Sequence, residues 1–560
     1  MSFLQRVINL KRFSHRLRAP NLTVGRSLSW VFGLALLSPI FFIFGGVLTG
    51  ATGESWSHIR GYLLPEALKN TLILISGTSL LVLLLGVPPA WLIARYQFPG
   101  RSLLSILLVL PLAVPPYIAA YLTTDLREAL IPWLVEVRLK DGVERYLLLE
   151  KNLRFGWLIL ILSLTLYPYC FLSVRAALSR HASTLGEASR LLGVSPWRTI
   201  FSIHLPLLRP ALVAGLFLCS MEVISDYGAA KYFGINTVTL VIFRTWFSLD
   251  ELVSARYLAG WVLLTIFILV YLERLQRGRA QFTTRSAHPP RTRIRRPFRC
   301  ILAILICGFP IILGFGYPLF KLVSWSLIDT TSQAWLHFRR PFTHSLSLGL
   351  GATSTCLIFS LLILTTARFT QKRADKHFSA LLQTGGYATP GTIMAVGILG
   401  VASFVRSVPF LAQSPLDQLL LSGSFLWISF ALTSRYLTVT SQVLHSGFQA
   451  IPLSWDQAAR LLNRSPLAVL FTIHLPLLRG PLLSAGVLTF VDISKELPLT
   501  LLLRPFDFET LGTTAYSFAN QGQIYACAKP ALLLILLSAA GLSLVEGFGW
   551  KHKRPYNQNG

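Results

Sequence analysis

Four acidic residues occur in two otherwise apolar segments of the chain, and their spacing is repeated. They are Glu222, Asp226, Asp492 and Glu496, with the second pair 270 residues after the first. Ionisable groups in segments of this kind are costly, so they indicate a function. Residues four apart share a helix face, which predicts that the two acids of each pair point the same way. Lys495 stands where the first copy has Ser225 and adds one ammonium group.

If the two segments lie side by side, four carboxylates and one ammonium group would line a path with net negative charge. Oxygen ligands of this kind suit a hard cation such as Fe(III). A cation that moves along such a path would be held only transiently, so no permanent metal site is predicted. The alternative interpretation places these acids at a water-exposed interface, where Lys495 and Glu496 pair with each other or with neighbours.

The elements that carry these residues have the composition of membrane helices. Hydrophobic residues make up 53% of the 560 residues and charged residues only 13%. A soluble domain carries about 25% charged residues, so a water-soluble enzyme is disfavoured. The net charge of +28 is explained by basic loops beside membrane spans better than by nucleic-acid binding.

Apolar runs that approach or exceed the roughly 20 residues of a membrane helix recur along the whole chain. We predict twelve spans, at 31–50, 71–94, 102–124, 155–174, 210–230 and 257–272, and at 300–320, 345–367, 378–405, 418–434, 481–502 and 530–545. Pro115, Pro116 and Pro390 fall inside the third and ninth spans and predict helix kinks there.

The distribution of basic residues predicts the orientation. The segment 274–299 contains nine arginines and no acidic residue, and both ends of the chain are also basic. Basic loops face the cytoplasm, so both termini and this linker are expected inside. The segment 125–154 instead balances six acidic against six basic residues, and it is either a docking element for a binding protein or a neutral spacer.

A polar loop is repeated with an offset of 270 residues. Residues 187–209 read EASRLLGVSPWRTIFSIHLPLLR, and residues 457–479 read QAARLLNRSPLAVLFTIHLPLLR. The chain therefore consists of two parallel halves of about six spans, 1–273 and 300–560, joined by the linker 274–299. In each copy Ser-Pro predicts a helix start, and Leu-Pro predicts the end of a short helix on the membrane face. Two such helices predict two similar docking surfaces for a cytoplasmic partner.

The repeated loop resembles the cytoplasmic signature of ATP-binding-cassette importer permeases. That signature is Glu-Ala-Ala, three residues, Gly, nine residues, then Ile-x-Leu-Pro. The first copy matches it at Glu187, Ala188, Gly193, Ile203, Leu205 and Pro206. The second copy keeps Ala458, Ile473, Leu475 and Pro476 but has Gln457 and Asn463 at the Glu and Gly positions. Asparagine tolerates left-handed backbone, so the turn at residue 463 is expected to survive.

The resemblance implies an all-α integral membrane protein of the bacterial inner membrane, with the importer type I permease fold. It implies that the two loops dock into grooves of a separate ATPase dimer, and that a solute-binding protein is present on the outer face. The 6+6 layout and the residues around Asp226 and Glu496 resemble the fused, two-half ferric-iron permeases in particular. Thiamine and phosphonate permeases share this design and are alternative relatives.

The sequence contains no GxxxxGKS/T phosphate loop, so ATP is expected on the partner subunit and no cofactor on this chain. The interpretation is therefore a pore-forming permease rather than an enzyme. The alternative of another class is a carrier driven by an ion gradient, because parallel repeats occur there too. His204 and His474, which recur at one place in the two loops, are interpreted as packing residues.

Overall fold

The structure is a computed structural model that describes residues 20–50, 56–181, 189, 193, 195–277, 292–328, 338–370, 372–386, 389–408 and 425–551. Almost every described element is a helix, which confirms the all-α prediction. The two strands, β1 (Tyr96–Gln97) and β2 (Thr292–Arg293), pair in parallel. This pairing holds the end of the Arg-rich linker beside the loop that follows the second span.

The first half contains twelve labelled helices. They are α1 (Pro20–Thr49), α2 (Leu64–Arg95), α3 (Arg101–Leu107), α4 (Pro116–Tyr121), α5 (Thr124–Glu128), α6 (Ile131–Asp141), α7 (Val143–His181), α8 (Pro196–Thr199), α9 (Leu205–Ser225), α10 (Gly228–Tyr232), α11 (Val238–Phe247) and α12 (Leu252–Arg277). Short helical turns at Trp56–His58 and Ile59–Leu63 lead into α2, a 3-10 turn at Leu110–Ala113 follows α3, and a π-helical turn at Ile200–His204 joins α8 to α9.

The described residues after the linker contain a further twelve labelled helices. They are α13 (Pro297–Ile311), α14 (Tyr317–Ile328), α15 (Arg339–Phe369), α16 (Arg373–Gly385), α17 (Gly391–Ser407), α18 (Phe425–Ala450), α19 (Leu453–Leu461), α20 (Pro466–Val469), α21 (Leu475–Ser494), α22 (Pro498–Leu503), α23 (Leu511–Asn520) and α24 (Ala528–Lys551). A π-helical turn at Ile312–Gly316 joins α13 to α14, and another at Leu470–His474 joins α20 to α21.

Nine of the described helices are long and apolar enough to cross a membrane, and one bent pair raises the number to ten. The bent pair consists of Arg101–Ala113 and Pro116–Glu128, whose axes differ by 85°. These helices confirm an integral membrane protein with many spans. The prediction of twelve spans in two sets of six stays a prediction.

The third and ninth predicted spans are broken rather than kinked. Pro115 has an extended backbone with ψ of 138° directly before α4, and Pro390 has ψ of 146° directly before α17. Proline has no N–H and cannot continue a preceding helix, so each position becomes the N-cap of a new helix. At Pro115 the following Pro116 also disfavours helical backbone. The prediction of a single kinked helix at 102–124 and at 378–405 is therefore wrong, because each range contains separate helices.

Each repeated loop leads directly into the following span. Ser465 starts the second of these helices, because its side chain accepts a hydrogen bond from the Ala468 N–H. The predicted start at Ser-Pro is thus confirmed. The predicted end at Leu205-Pro206 and Leu475-Pro476 is wrong, because each helix continues through its π-helical turn into α9 or α21. A π turn carries one extra residue, so the helix passes the missing proline N–H without ending.

The two halves interlock around two buried apolar cores. Helix α1 of the first half packs against α15 and α17, whereas α13 of the second half packs against α2. One core accordingly combines Ile43 with Leu348 and Ile393. The other combines Leu162 with Trp325 of the second half. Burial of apolar surface stabilises both cores, and each contains residues from before and after the linker.

Candidate translocation site

The first predicted acidic pair does not lie on one helix face. Helix α9 contains Glu222 but ends at Ser225, and Asp226 follows it with an extended ψ of 126°. The Oδ2 atom of Asp226 accepts a hydrogen bond of 2.8 Å from the Ala230 N–H in α10. A carboxylate at a helix N-terminus satisfies an unpaired N–H and complements the helix dipole. Asp226 is therefore a capping residue, and the prediction of a shared helix face is wrong.

The second acidic pair is divided in the same way. Helix α21 contains Asp492 and ends at Ser494, so Glu496 lies beyond the helix. The Oε1 atom of Glu496 accepts a hydrogen bond of 3.1 Å from the Leu499 N–H, in the first turn of α22. The prediction of a shared face is wrong here too. In both halves the first acid stays on the span and the second acid caps the short helix that follows.

One cavity between the halves brings all five predicted residues together. Its volume is about 80 Å³, and we call it the charged cavity. Its polar lining consists of Glu222, Ser225, Asp226, Tyr117, Tyr227, Thr165, Arg435, Tyr436, Asp492, Lys495 and Glu496. Residues of spans far apart in the chain therefore form a single polar site.

Arg435 is a charged lining residue that the sequence analysis missed. It lies within α18, and its Nη1 atom is 2.7 Å from Oε1 of Glu496. Each of these two side chains is only 5% exposed. The hydroxyl of Tyr436 donates to the other carboxylate oxygen at 2.7 Å. A signal was available, because the predicted span ends at Ser434 although the sequence after Arg435 remains largely apolar.

Lys495 pairs with Asp492 and Glu496 with Arg435, so of the two predicted alternatives these residues pair with neighbours and not with each other. The Nζ atom of Lys495 lies 2.9 Å from Oδ1 of Asp492 and 3.3 Å from the carbonyl oxygen of Leu112. The side chains of Lys495 and Asp492 are 17% and 18% exposed, so water reaches them more readily than the Arg435–Glu496 pair. With Arg435 included, four carboxylates and two cations leave a formal charge of −2.

A larger cavity of about 600 Å³ adjoins the charged cavity, and we call it the vestibule. Its lining on α18 runs from Thr438 to Ser446, toward the end of the helix that leads to the second repeated loop. At a rise of 1.5 Å per residue, Ser446 lies about 15 Å along the helix from Tyr436. The vestibule therefore lies between the charged cavity and the repeated loops.

Aromatic rings pack next to the charged cavity, which Tyr117 lines. The ring centroids of Tyr117 and Tyr121 are 6.1 Å apart, and those of Tyr121 and Tyr232 are 5.2 Å apart. Lys231 of the first half donates a hydrogen bond of 2.7 Å to the hydroxyl of Tyr516 in the second half. The two halves thus meet through aromatic and polar contacts there.

One face of the second repeated loop is exposed, and the other face is bound to the rest of the protein. Gln457 and Ala458 of α19 are exposed, whereas Asp456 is buried. The carboxylate of Asp456 contacts Arg368 Nε at 2.5 Å through Oδ2 and His474 Nε2 at 2.8 Å through Oδ1. Since Arg368 is at the end of α15, this helix is fastened directly to a membrane span.

The first repeated loop is described only in part, and Glu187 and Ala188 lie outside the described residues. Gly193 has a φ of +72° and Asn463 a φ of +53°. The expectation that asparagine supports the same left-handed turn is therefore confirmed.

The remaining signature residues stand in equivalent places in the two halves. They are Ile203 and Ile473 in the π-helical turns, and Leu205, Pro206, Leu475 and Pro476 at the starts of α9 and α21. His204 is buried and its Nε2 lies 3.1 Å from Nη2 of Arg95, at the end of α2. His474 is buried too and contacts Asp456, which also binds Arg368 at the end of α15. An arginine at a helix end therefore lies close to each repeated loop.

The sequence matches a known family over much of the first half. Residues 83–276 match the family described as the binding-protein-dependent transport system inner membrane component. A molybdenum transport system permease protein of Haemophilus influenzae is 32% identical over 175 residues, which cover 30% of this chain and 72% of that protein. The chain belongs to this permease family. The permease is thus a multi-pass inner-membrane transport subunit and not an enzyme.

Two further relatives of the permease are similar over longer stretches. A Fe(3+)-transport system permease protein of Haemophilus influenzae is 25% identical over 497 residues, covering 87% of this permease and 90% of the relative. A sulfate transport system permease protein of Escherichia coli is 28% identical over 220 residues, covering 38% and 75% respectively. Transport by this family depends on a binding protein, which argues against a free-standing carrier driven by an ion gradient.

Proposed function

We propose that this permease forms the translocation pathway of an ATP-driven importer of ferric iron. The observation that carries the proposal is the charged cavity, where acidic residues from both halves meet. Carboxylates are hard oxygen ligands of the kind that Fe(III) prefers. Similarity to a Fe(3+)-transport system permease over most of both chains supports the same cargo.

The charge of the cavity favours a cation over an oxyanion such as sulfate, molybdate or a phosphonate. Both basic side chains already contact carboxylates, Arg435 at 2.7 Å and Lys495 at 2.9 Å. An oxyanion is held by cationic or N–H donors directed at it, whereas here acids outnumber bases by four to two. Thiamine, which is a cation, is the second candidate cargo.

We propose twelve spans in two parallel sets of six, in the halves 1–273 and 300–560. The nine long helices and the bent pair supply ten of them, and α17 and α18 supply the other two. Both termini, the linker 274–299 and the two repeated loops would lie on the cytoplasmic side, because basic loops are retained there. The vestibule would then lead from the charged cavity toward the cytoplasm.

We propose that the two repeated loops dock on a cytoplasmic ATPase dimer, which binds and hydrolyses ATP while this chain binds no cofactor. Helix α19 and the turn after it expose large apolar side chains, with Leu453 63%, Leu461 89% and Leu462 76% exposed. A concentrated apolar patch of this kind indicates a partner surface. Arg368 would carry the movement of α19 to the spans, because it also bonds the Ile451 carbonyl near the end of α18.

The cargo is tested with the permease, its ATPase and its binding protein together in proteoliposomes. ATP hydrolysis is measured while binding protein loaded with Fe(III), thiamine, molybdate or a phosphonate is added. Stimulation by the iron-loaded form alone is the expected result. Stimulation by another load would overturn the ferric cargo but keep the permease assignment.

The two docking surfaces are tested by matched lysine substitutions, Glu187→Lys and Gln457→Lys. The first removes an acid that the signature contains, whereas the second replaces a neutral residue. We expect Glu187→Lys to reduce transport more than Gln457→Lys, because the first loop loses an existing charged contact with the ATPase. Equal losses of transport would contradict unequal coupling of the two loops.

A further inference from the structure

We propose that the side chain of Lys495 closes the passage between the charged cavity and the vestibule, and that the transported cation must displace it. The inference rests on the proposed import of a cation along this passage. Only Leu112, Asp492 and Lys495 line both cavities among the described residues. These three residues therefore form the boundary that a cargo has to cross.

The ammonium group of Lys495 joins the two halves at this boundary. It bonds Asp492 Oδ1 at 2.9 Å within its own half and the Leu112 carbonyl oxygen at 3.3 Å in the other half. The lysine is the C-cap residue of α21, where a positive charge also complements the helix dipole. A group that binds both walls at once blocks the space between them.

The sequence explains why the Leu112 carbonyl oxygen can accept this bond. In a helix its donors would be the N–H groups three or four residues later, but those residues are Pro115 and Pro116. Neither proline has an N–H. A buried carbonyl needs a partner from elsewhere, and Lys495 supplies it. The break in the third span thus creates the acceptor for the Lys495 ammonium group. We call the closing side chain of Lys495 the latch.

Of the two cations in the charged cavity, Lys495 is the one that can move. Arg435 and Glu496 are each 5% exposed, whereas Lys495 and Asp492 are 17% and 18% exposed. Separating a buried ion pair is strongly destabilising, so the less enclosed Lys495–Asp492 pair is the easier of the two to separate. The lysine side chain can therefore turn aside and leave the Asp492 carboxylate facing both cavities.

The latch also explains how a highly charged cargo would be favoured over common monovalent ions. A monovalent cation gains from Asp492 about the same attraction that the ammonium group already has. A trivalent cation gains about three times as much at equal distance, because Coulomb energy scales with charge. A multivalent cation therefore displaces Lys495 from Asp492 more readily than potassium or sodium does.

The test measures ion leakage through the permease–ATPase complex in sealed proteoliposomes, without ATP and without binding protein. Thallium influx is followed with an entrapped fluorescent indicator. We expect Lys495→Met to raise influx at least tenfold and Lys495→Arg to remain close to wild type. Lys321→Met is the matched control, because Lys321 pairs with Asp125 at 2.6 Å and lines neither cavity.

A second variant distinguishes the loss of the Lys495 closure from general damage to the protein. Lys495→Met combined with Asp492→Asn removes the acid that would attract the leaking ion, so we expect influx to fall well below that of Lys495→Met alone. Equal thallium influx in the two variants would overturn the proposal that Lys495 closes the passage. Wild-type influx through Lys495→Met in an intact complex would overturn it too. The leakage assay uses no iron, so it is independent of the cargo. If the permease does not import Fe(III) but Lys495→Met leaks thallium, the ferric cargo is overturned and the latch is supported.

Discussion

Arg435 and Glu496 join two helices of the second half through a contact of 2.7 Å between Nη1 and Oε1, and both side chains are 5% exposed. The same carboxylate accepts hydrogen bonds from Tyr436 and from the Leu499 N–H. The pair therefore connects α18 with the start of α22. It forms a fixed wall of the charged cavity, while Lys495 on the same cavity is more accessible to water.

Removing one partner of this pair should destabilise the permease strongly. Arg435→Met leaves the Glu496 carboxylate buried without its cation, which costs about 3–5 kcal/mol. We expect a marked fall in the thermal unfolding midpoint of the protein in nanodiscs. The double variant Arg435→Met with Glu496→Gln should recover most of the loss, because no charge is then left buried. An unchanged midpoint in the single variant would contradict a structural role for the pair.

Gly391 should not tolerate a side chain. A Cβ atom at this position would lie 2.5 Å from Glu496 Oε1 and also too close to Arg435 Nη1. Gly391→Ala should therefore lower the unfolding midpoint by forcing the ion pair apart. The control is Gly480→Ala in α21, where nothing lies within 4 Å of the added atom. That variant should be neutral or stabilising by up to about 1 kcal/mol, because alanine is the better helix former.

The turn at Asn463 should accept glycine and reject a β-branched residue. Its φ of +53° matches the left-handed turn at Gly193. Left-handed backbone costs most L-residues roughly 1–2 kcal/mol, and it is a true outlier for a β-branched side chain. We expect Asn463→Gly to keep ATPase association at the wild-type level and Asn463→Val to weaken it in a pull-down with purified ATPase. Equal association would show that the turn does not shape the docking surface.

Asp456 should be needed for coupling between the ATPase and the spans. Its carboxylate holds Arg368 at 2.5 Å and His474 at 2.8 Å. Asp456→Asn keeps the size of the side chain but removes the charge. Helix α19, which we call the docking helix, is then held less firmly by Arg368. We expect ATP hydrolysis to continue while transport per ATP falls severalfold.

Asp375→Asn is the matched control for this variant. Asp375 is also a buried carboxylate paired with an arginine, Arg26, but it joins α1 to α16 and does not hold the docking helix. It should lower the stability of the permease without changing transport per ATP. The same loss of coupling in both variants would contradict a specific role for Asp456.

Much of this permease could be predicted from local features of the sequence. The repeat at 187–209 and 457–479 predicted two halves and indicated the family, because consecutive residues carry the signature. Glu222, Asp226, Asp492, Lys495 and Glu496 could be selected as a site because charges in apolar segments are rare. The left-handed turn at Asn463 followed from the preference of that single residue type.

The tertiary structure alone decided how these residues are used. Arg435 became the partner of Glu496 across 61 positions of the chain, and Lys495 bonds Leu112 across 383. Asp226 and Glu496 became helix caps because each span ends directly before them. The sequence determined which groups are charged and where helices can start, since those are local properties. Which charges meet depends on the packing of distant helices, and no local periodicity contains that information.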